Sequence, residues 1–181
     1  SSQSGEYFGY FLRAYAKEDL GDYQGAISDY TNAIKIIPYD FYSYSNRGTI
    51  KSKIDDYQGA ISDFDKALDI NPTDALTYYN RGTHKKRLGD NQGAIDDYSK
   101  ALEIDPKYPD ANFNRAIARS NIGDNQGAIA DLNKAIAIDP KFVGAYNNRG
   151  IAKHKLKDYQ GAIADYDKAI ELDPQYANAY G

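Results

Sequence analysis

Four asparagines offer the most chemistry: Asn46, Asn80, Asn114 and Asn148 recur every 34 residues. A side-chain amide both donates and accepts hydrogen bonds. A row of them can therefore hold the backbone of an extended peptide, or can tie helices of the protein to each other. No nucleophile–base set stands out from the repeating text, so no enzyme is expected. His84 and His154 fall at different places in the 34-residue frame, at its tenth and twelfth positions, and read as surface or packing residues. Two histidines without any cysteine do not make a zinc site. Gly21-Asp22-Tyr23-Gln24-Gly25 lacks the lysine of a phosphate-binding loop, and Asp55-Asp56 lacks the spacing of a calcium loop. Neither a cofactor nor a metal is expected.

A second set is ionic. Counting each repeat from residue 7, position 7 is always arginine (Arg13, Arg47, Arg81, Arg115, Arg149) and position 11 always basic (Lys17, Lys51, Lys85, Arg119, Lys153). Four residues apart, they share one helical face and repel. Position 23 is always aspartate (Asp29, Asp63, Asp97, Asp131, Asp165), the natural counter-ion from an antiparallel second helix. The expected structural pairs are Arg47–Asp63, Arg81–Asp97, Arg115–Asp131 and Arg149–Asp165, with a reach towards the adjacent repeat. A basic, ligand-facing stripe is the other reading.

The elements that position these residues follow from the prolines. Pro38, Pro72, Pro106, Pro140 and Pro174 stand 34 residues apart, the mark of a repeat array. Five full repeats run 7–40, 41–74, 75–108, 109–142 and 143–176, after a flexible segment 1–6 and before a truncated start of a further helix at 177–181. Each repeat reads as two helices. In the third, these span about Leu76–Leu88 and Gln92–Ile104, broken at Gly89-Asp90, where glycine suits the C-cap and aspartate the next N-cap. Ala94, Ile95, Tyr98, Ala101 and Leu102 give the second helix its apolar face. Alanine always fills positions 20 and 27. Position 8 is Ala or Gly, and position 24 is a ring or leucine, so small residues face large ones and the helices approach closely. Glycine at position 19, costly within a helix, is expected to mark close backbone packing. The fourth repeat departs most, with Asn112, Asn125 and Leu132 where other repeats carry rings. Either its packing is thinner, making a soft joint, or a ring such as Phe113 fills the space.

In length and in residues such as Tyr146, Gly150, Ala162, Tyr166, Ala169 and Pro174 the chain resembles the tetratricopeptide repeat family over residues 7–176. The resemblance implies an all-α, right-handed superhelical solenoid of antiparallel helix pairs. It also implies a concave groove lined by first helices and a role in binding a peptide or helix of a partner protein. On that reading Asn46, Asn80, Asn114 and Asn148 hold the peptide, and Tyr15, Tyr79 and Phe113 supply apolar pockets. Lys53, Lys86, Arg87 and Lys155 are basic positions at the rim. The family's carboxylate-gripping pattern is not matched in the first repeats; if present, it would lie around Lys86 and Arg87.

Composition bounds the partners. A net charge of −4 and a pI of about 5.2 argue against a general nucleic-acid binder, and no apolar run is long enough to insert in a membrane. The chain lacks methionine and opens Ser1-Ser2-Gln3-Ser4-Gly5, so it reads as a processed or excised fragment. Its compartment stays open: a soluble, cytoplasmic placement is favoured, and prior removal of a targeting segment is compatible with the sequence. Two other functional readings remain, a self-assembling module joining copies through an uncapped C-terminal end, and a regulatory domain cut from a larger protein.

Overall fold

The computed structural model describes residues 3–175. Among these are ten helices and no strand: α1 Gln3–Asp19, α2 Tyr23–Ile36, α3 Phe41–Lys53, α4 Tyr57–Ile70, α5 Ala75–Arg87, α6 Asn91–Ile104, α7 Pro109–Asn121, α8 Asn125–Ile138, α9 Val143–Lys155 and α10 Tyr159–Leu172. They divide into two compact units, the first ending at Leu88 with α1–α5 and the second beginning at Gly89 with α6–α10. The segment expected to start a further helix, 177–181, lies outside the described residues.

One device starts every second helix. Asp22, Asp56, Asp90, Asp124 and Asp158 each accept a hydrogen bond from the backbone N–H three residues on, at 2.8–3.0 Å, which satisfies one of the first-turn donors. The acceptor carboxylate also accounts for the position-19 glycines. A Cβ built on Gly25, Gly59, Gly93, Gly127 or Gly161 would lie 2.0–2.2 Å from the capping Oδ2. The close neighbour is therefore the cap itself, not the backbone of another helix as the sequence suggested. The turn before the cap is left-handed at Gly21, Gly89 and Gly123, and also at Asp55 and Lys157, where a side chain bears the strain.

Residues 3–6, read from sequence as a flexible lead-in, form the first turn of α1. Just beyond them the buried Tyr7 ring donates from its hydroxyl to Asp40 at 2.8 Å, fixing α1 against the start of α3. Burial, then that carboxylate, pushes the Tyr7 phenol up to about 12.

Packing inside each unit follows the small-to-large rule. In the first unit Ala14, Ala26, Tyr30 and Ile50 form a buried cluster, and a Cβ on Gly48 would meet Phe64 at 2.9 Å. In the second, Ala116, Ala128, Leu132, Ala135, Ala145 and Ala152 are buried together, with Phe113, Ile129, Ile136 and Phe142 against them. Phe113 and Phe142 rings lie 4.6 Å apart. A ring thus fills the space beside Leu132, and Asn112 is buried with its amide donating to the Tyr108 carbonyl at 3.3 Å.

Candidate functional site

The ionic residues sit between helices. Arg47 Nε and Nη2 donate to both oxygens of Asp63, at 2.9 and 2.6 Å, and Lys51 reaches Asp63 at 2.9 Å. Arg13 and Lys17 treat Asp29 in the same way, as do Arg115 and Arg119 with Asp131, and Arg149 and Lys153 with Asp165. All four aspartates are buried. Hydrogen bonds from Arg13, opposed by burial and aided by Lys17, hold the Asp29 carboxyl at about 2. Burial raises that of Asp165, but Arg149 and Lys153 outweigh it and the net direction is down.

The remaining guanidinium nitrogen crosses to the second helix of the preceding repeat, always at position 25. Arg47 Nη1 meets Thr31 at 2.9 Å, Arg81 Nη1 meets Asp65 at 2.7 Å, Arg115 Nη1 meets Ser99 at 2.9 Å and Arg149 Nη1 meets Asn133 at 2.6 Å. Tyr10, Tyr44, Tyr78 and Tyr146, three residues before an arginine, each place a ring under its guanidinium at 5.4–5.6 Å. Arg81 and Asp97 belong to different units.

The asparagines are not equivalent. Asn46 donates to the Tyr30 hydroxyl at 3.2 Å, binding α3 to α2. Asn114 and Asn148 donate back along their own helices, to the Asp110 carbonyl at 3.0 Å and the Gly144 carbonyl at 2.8 Å. Asn80 makes no such bond and lines a cavity of about 280 Å³ in the first unit, together with Thr49, Ser52, Lys53, Tyr57, Phe64, His84 and Arg87. Of the predicted pocket rings, Tyr15 is exposed on α1, Tyr79 is half-buried on α5, and Phe113 packs within the second unit. None of the three lines this cavity. Arg87 lines it; its neighbour Lys86 is half-buried, and burial followed by Arg87 lowers the Lys86 ammonium's pKa.

His84 organises the cavity wall. Its ring stacks on Tyr57 at 5.2 Å and on Phe64 at 6.0 Å, with Nε2 2.7 Å from Ser52 Oγ. The Ser52 hydroxyl donates to the Gly48 carbonyl at 3.0 Å. Nε2–H then donates to Ser52, which leaves Nδ1 an acceptor, buried and without a partner. Burial, then the charge of Arg87, lowers the imidazole's pKa. With no carboxylate on Nδ1, the Ser–His pair lacks the group that orients a catalytic base. Arg87 lies over the Tyr57 ring at 4.8 Å and donates to its hydroxyl, which donates to Asp55. Lys53 pairs with Glu18 at 2.8 Å. Sequence reasoning read His84 as a surface or packing residue and did not single out Ser52. A signal existed: position 10 is Ala16, Ile50, Ala118 and Ala152 elsewhere, so His84 is polar at an apolar place.

Among the described residues no group of three or more His, Cys, Asp or Glu is placed to hold a metal, and no helix is long and apolar enough to cross a membrane.

Within each unit, successive repeats joined by one arginine, with polar space left on a first-helix face of the first unit, define an all-α repeat array. The chain belongs to the tetratricopeptide repeat family: models described as "Tetratricopeptide repeat" match residues 9–40, 41–74 and 143–176, and one described as "TPR repeat" matches 85–123 and 121–157. Among solved structures it is similar to MamA, at 26% identity over 97% of this chain and 96% of that one, with a TM-score of 0.91. YrrB, described as a TPR protein with an unusual peptide-binding site, shares 21% identity over 93% and 87% of the two chains, with a TM-score of 0.86. A tetratricopeptide repeat protein from Parabacteroides merdae shares 21% over 94% and 68%, with a TM-score of 0.87. A search of curated proteins gave no match.

Proposed function

We propose that the first unit binds an extended segment of another protein along its first-helix face, centred on the cavity at Asn80. The observation that carries this is the contrast within the asparagines: the amides of Asn46, Asn114 and Asn148 are engaged by the protein, whereas Asn80 opens onto a cavity that also holds hydroxyls and a guanidinium. An amide with open donors and acceptor pairs with peptide backbone. Arg87, exposed at the edge, favours a segment with an acidic or carbonyl group there.

The test is selection of peptides from a displayed library against the whole chain, followed by titration of the selected peptides. Asn80→Ala and Arg87→Ala should each weaken binding about tenfold, the worth of one good polar contact. Asn148→Ala should leave it unchanged. Full binding by correctly folded Asn80→Ala and Arg87→Ala proteins would refute the site.

A further inference from the structure

The position-4 tyrosines are not used alike. In the fifth repeat the Tyr146 hydroxyl donates to the carbonyl of Pro140, six residues earlier, at 3.3 Å. Tyr44 and Pro38 hold the same two places in the first unit and make no such bond. Among the described residues the Tyr44 hydroxyl has no hydrogen-bond partner. Tyr44 and Pro38 instead line a cleft of about 340 Å³, with Tyr39, Lys66, Asp69 and Ile70. The cleft lies at the start of α3 and the end of α4. The Asn80 cavity takes Ser52 and Lys53 from the end of α3 and Tyr57 from the start of α4, so the two are separate.

Tyr39 breaks the repeat. Its place, position 33, is Thr73, Lys107, Lys141 and Gln175 elsewhere. Its ring is 82% exposed, so packing of the unit does not account for it. Tyr44, by contrast, is held. Its ring lies under the Arg47 guanidinium at 5.6 Å, and Asp63 and Thr31 fix that guanidinium. A hydroxyl held in place before a ligand arrives costs less to use. Lys66 Nζ and Asp69 Oδ2 stand 3.5 Å apart, so the two charges on the cleft offset each other and favour a neutral occupant. Two rings, a proline and an isoleucine, with hydroxyls as the polar points, suit polyproline II. That conformation presents pyrrolidine rings and carbonyls, and proline has no N–H to leave unpaired. Tyr146 on Pro140 is the same pairing made inside this molecule. We infer that the cleft binds a proline-rich segment of another protein, with a prolyl carbonyl on the Tyr44 hydroxyl and a pyrrolidine ring against Tyr39 and Ile70.

The probe is a polyproline peptide titrated calorimetrically against the whole chain, with a glycine–serine peptide of equal length as the reference. The polyproline peptide should bind saturably and the reference should not. Tyr44→Phe keeps the ring under Arg47 and loses the hydroxyl, and Tyr39→Ser loses an exposed ring. Each should weaken binding about tenfold. Tyr146→Phe, and Arg87→Ala at the Asn80 cavity, should leave it unchanged. Absence of saturable polyproline binding overturns the inference, as does full binding by a folded Tyr44→Phe or Tyr39→Ser protein. Loss of binding in Arg87→Ala also overturns it, by placing the peptide in the Asn80 cavity. So does tighter binding of a polylysine or polyglutamate peptide, since charge would then be what the cleft selects.

Discussion

The two units carry the same repeat and begin their first helices differently. In the first, Asp40 and Asp74 cap α3 and α5, each accepting a backbone N–H at 2.8 Å. In the second, Tyr108 and Phe142 stand at those places, and α7 and α9 have no side-chain cap. Phe142 turns inward onto Phe113 instead. Position 10 differs in step: His84 in the first unit holds a cavity wall, while Ala118 and Ala152 in the second are simply buried. One unit invests its first helices in polar terminations and a polar recess, the other in apolar closure, and the repeat's shared residues tolerate both.

The sharpest way to break that comparison is through what the units share. Asp63→Ala and Asp131→Ala each strip two cations of a buried counter-ion, and each should cost about 3–5 kcal/mol. The loss should be greater for Asp131. Its partners Arg115 and Arg119 cannot shed a proton, whereas Lys51 beside Asp63 can. Denaturant titration measures the loss, and hydrogen exchange shows whether it stays within the altered unit. Equal losses would mean that the choice of lysine or arginine at position 11 carries no energetic weight.

Caps come next. Asp40→Ala removes both the α3 cap and the acceptor of Tyr7, and should cost the first unit about 1–2 kcal/mol. Tyr108→Ala in the second unit removes no cap bond, so it should leave the exchange of the α7 first turn unchanged.

Acid should separate the units further. Native His84 has its pKa held below the ordinary imidazole value of about 6.5 by burial and by Arg87, with Lys53 of α3 and Tyr57 of α4 as the other ionisable groups lining its cavity. As pH falls through about 6.5 the unfolded chain takes up a proton that the native unit does not, so stability present above that pH declines. His84→Gln should flatten the decline between about pH 7 and 5, read by denaturant midpoints at each pH. An unchanged slope would show that His84 is not its source.

The fold was legible because its signals repeat: prolines every 34 residues, invariant alanines, and aspartates beside turns all point to the same two-helix element. The Arg47 and Asp63 positions were readable for the same reason, since opposite charges recurred at a fixed offset. The recess at Asn80 was not, because identical asparagines meet different surroundings: a tyrosine hydroxyl for Asn46, their own helix carbonyls for Asn114 and Asn148. Which amide is left open depends on neighbours brought in by packing, and His84 was the only local sign of it. The position-19 glycines were misassigned for a related reason. Sequence shows that a glycine is needed, but only coordinates show that the crowding atom is the capping carboxylate.

The smallest expected effect lies in the turns, where the second unit contains its own control. Gly123 and Lys157 occupy the same turn, at φ of 87° and 65°. A left-handed backbone costs a residue with a Cβ about 1–2 kcal/mol, of which a glycine's extra freedom in the unfolded chain returns roughly half. Lys157→Gly should therefore stabilise the second unit by about 0.5–1 kcal/mol, and Gly123→Lys should destabilise it by a similar amount. Asp55 is a poorer choice for the same replacement, since its carboxylate accepts from Tyr57, a ring that lies under Arg87 and lines the cavity of the first unit. If Lys157→Gly gains nothing while Gly123→Lys still costs, the lysine side chain is contributing a contact that offsets its strain, and the turns of the second unit are no longer interchangeable.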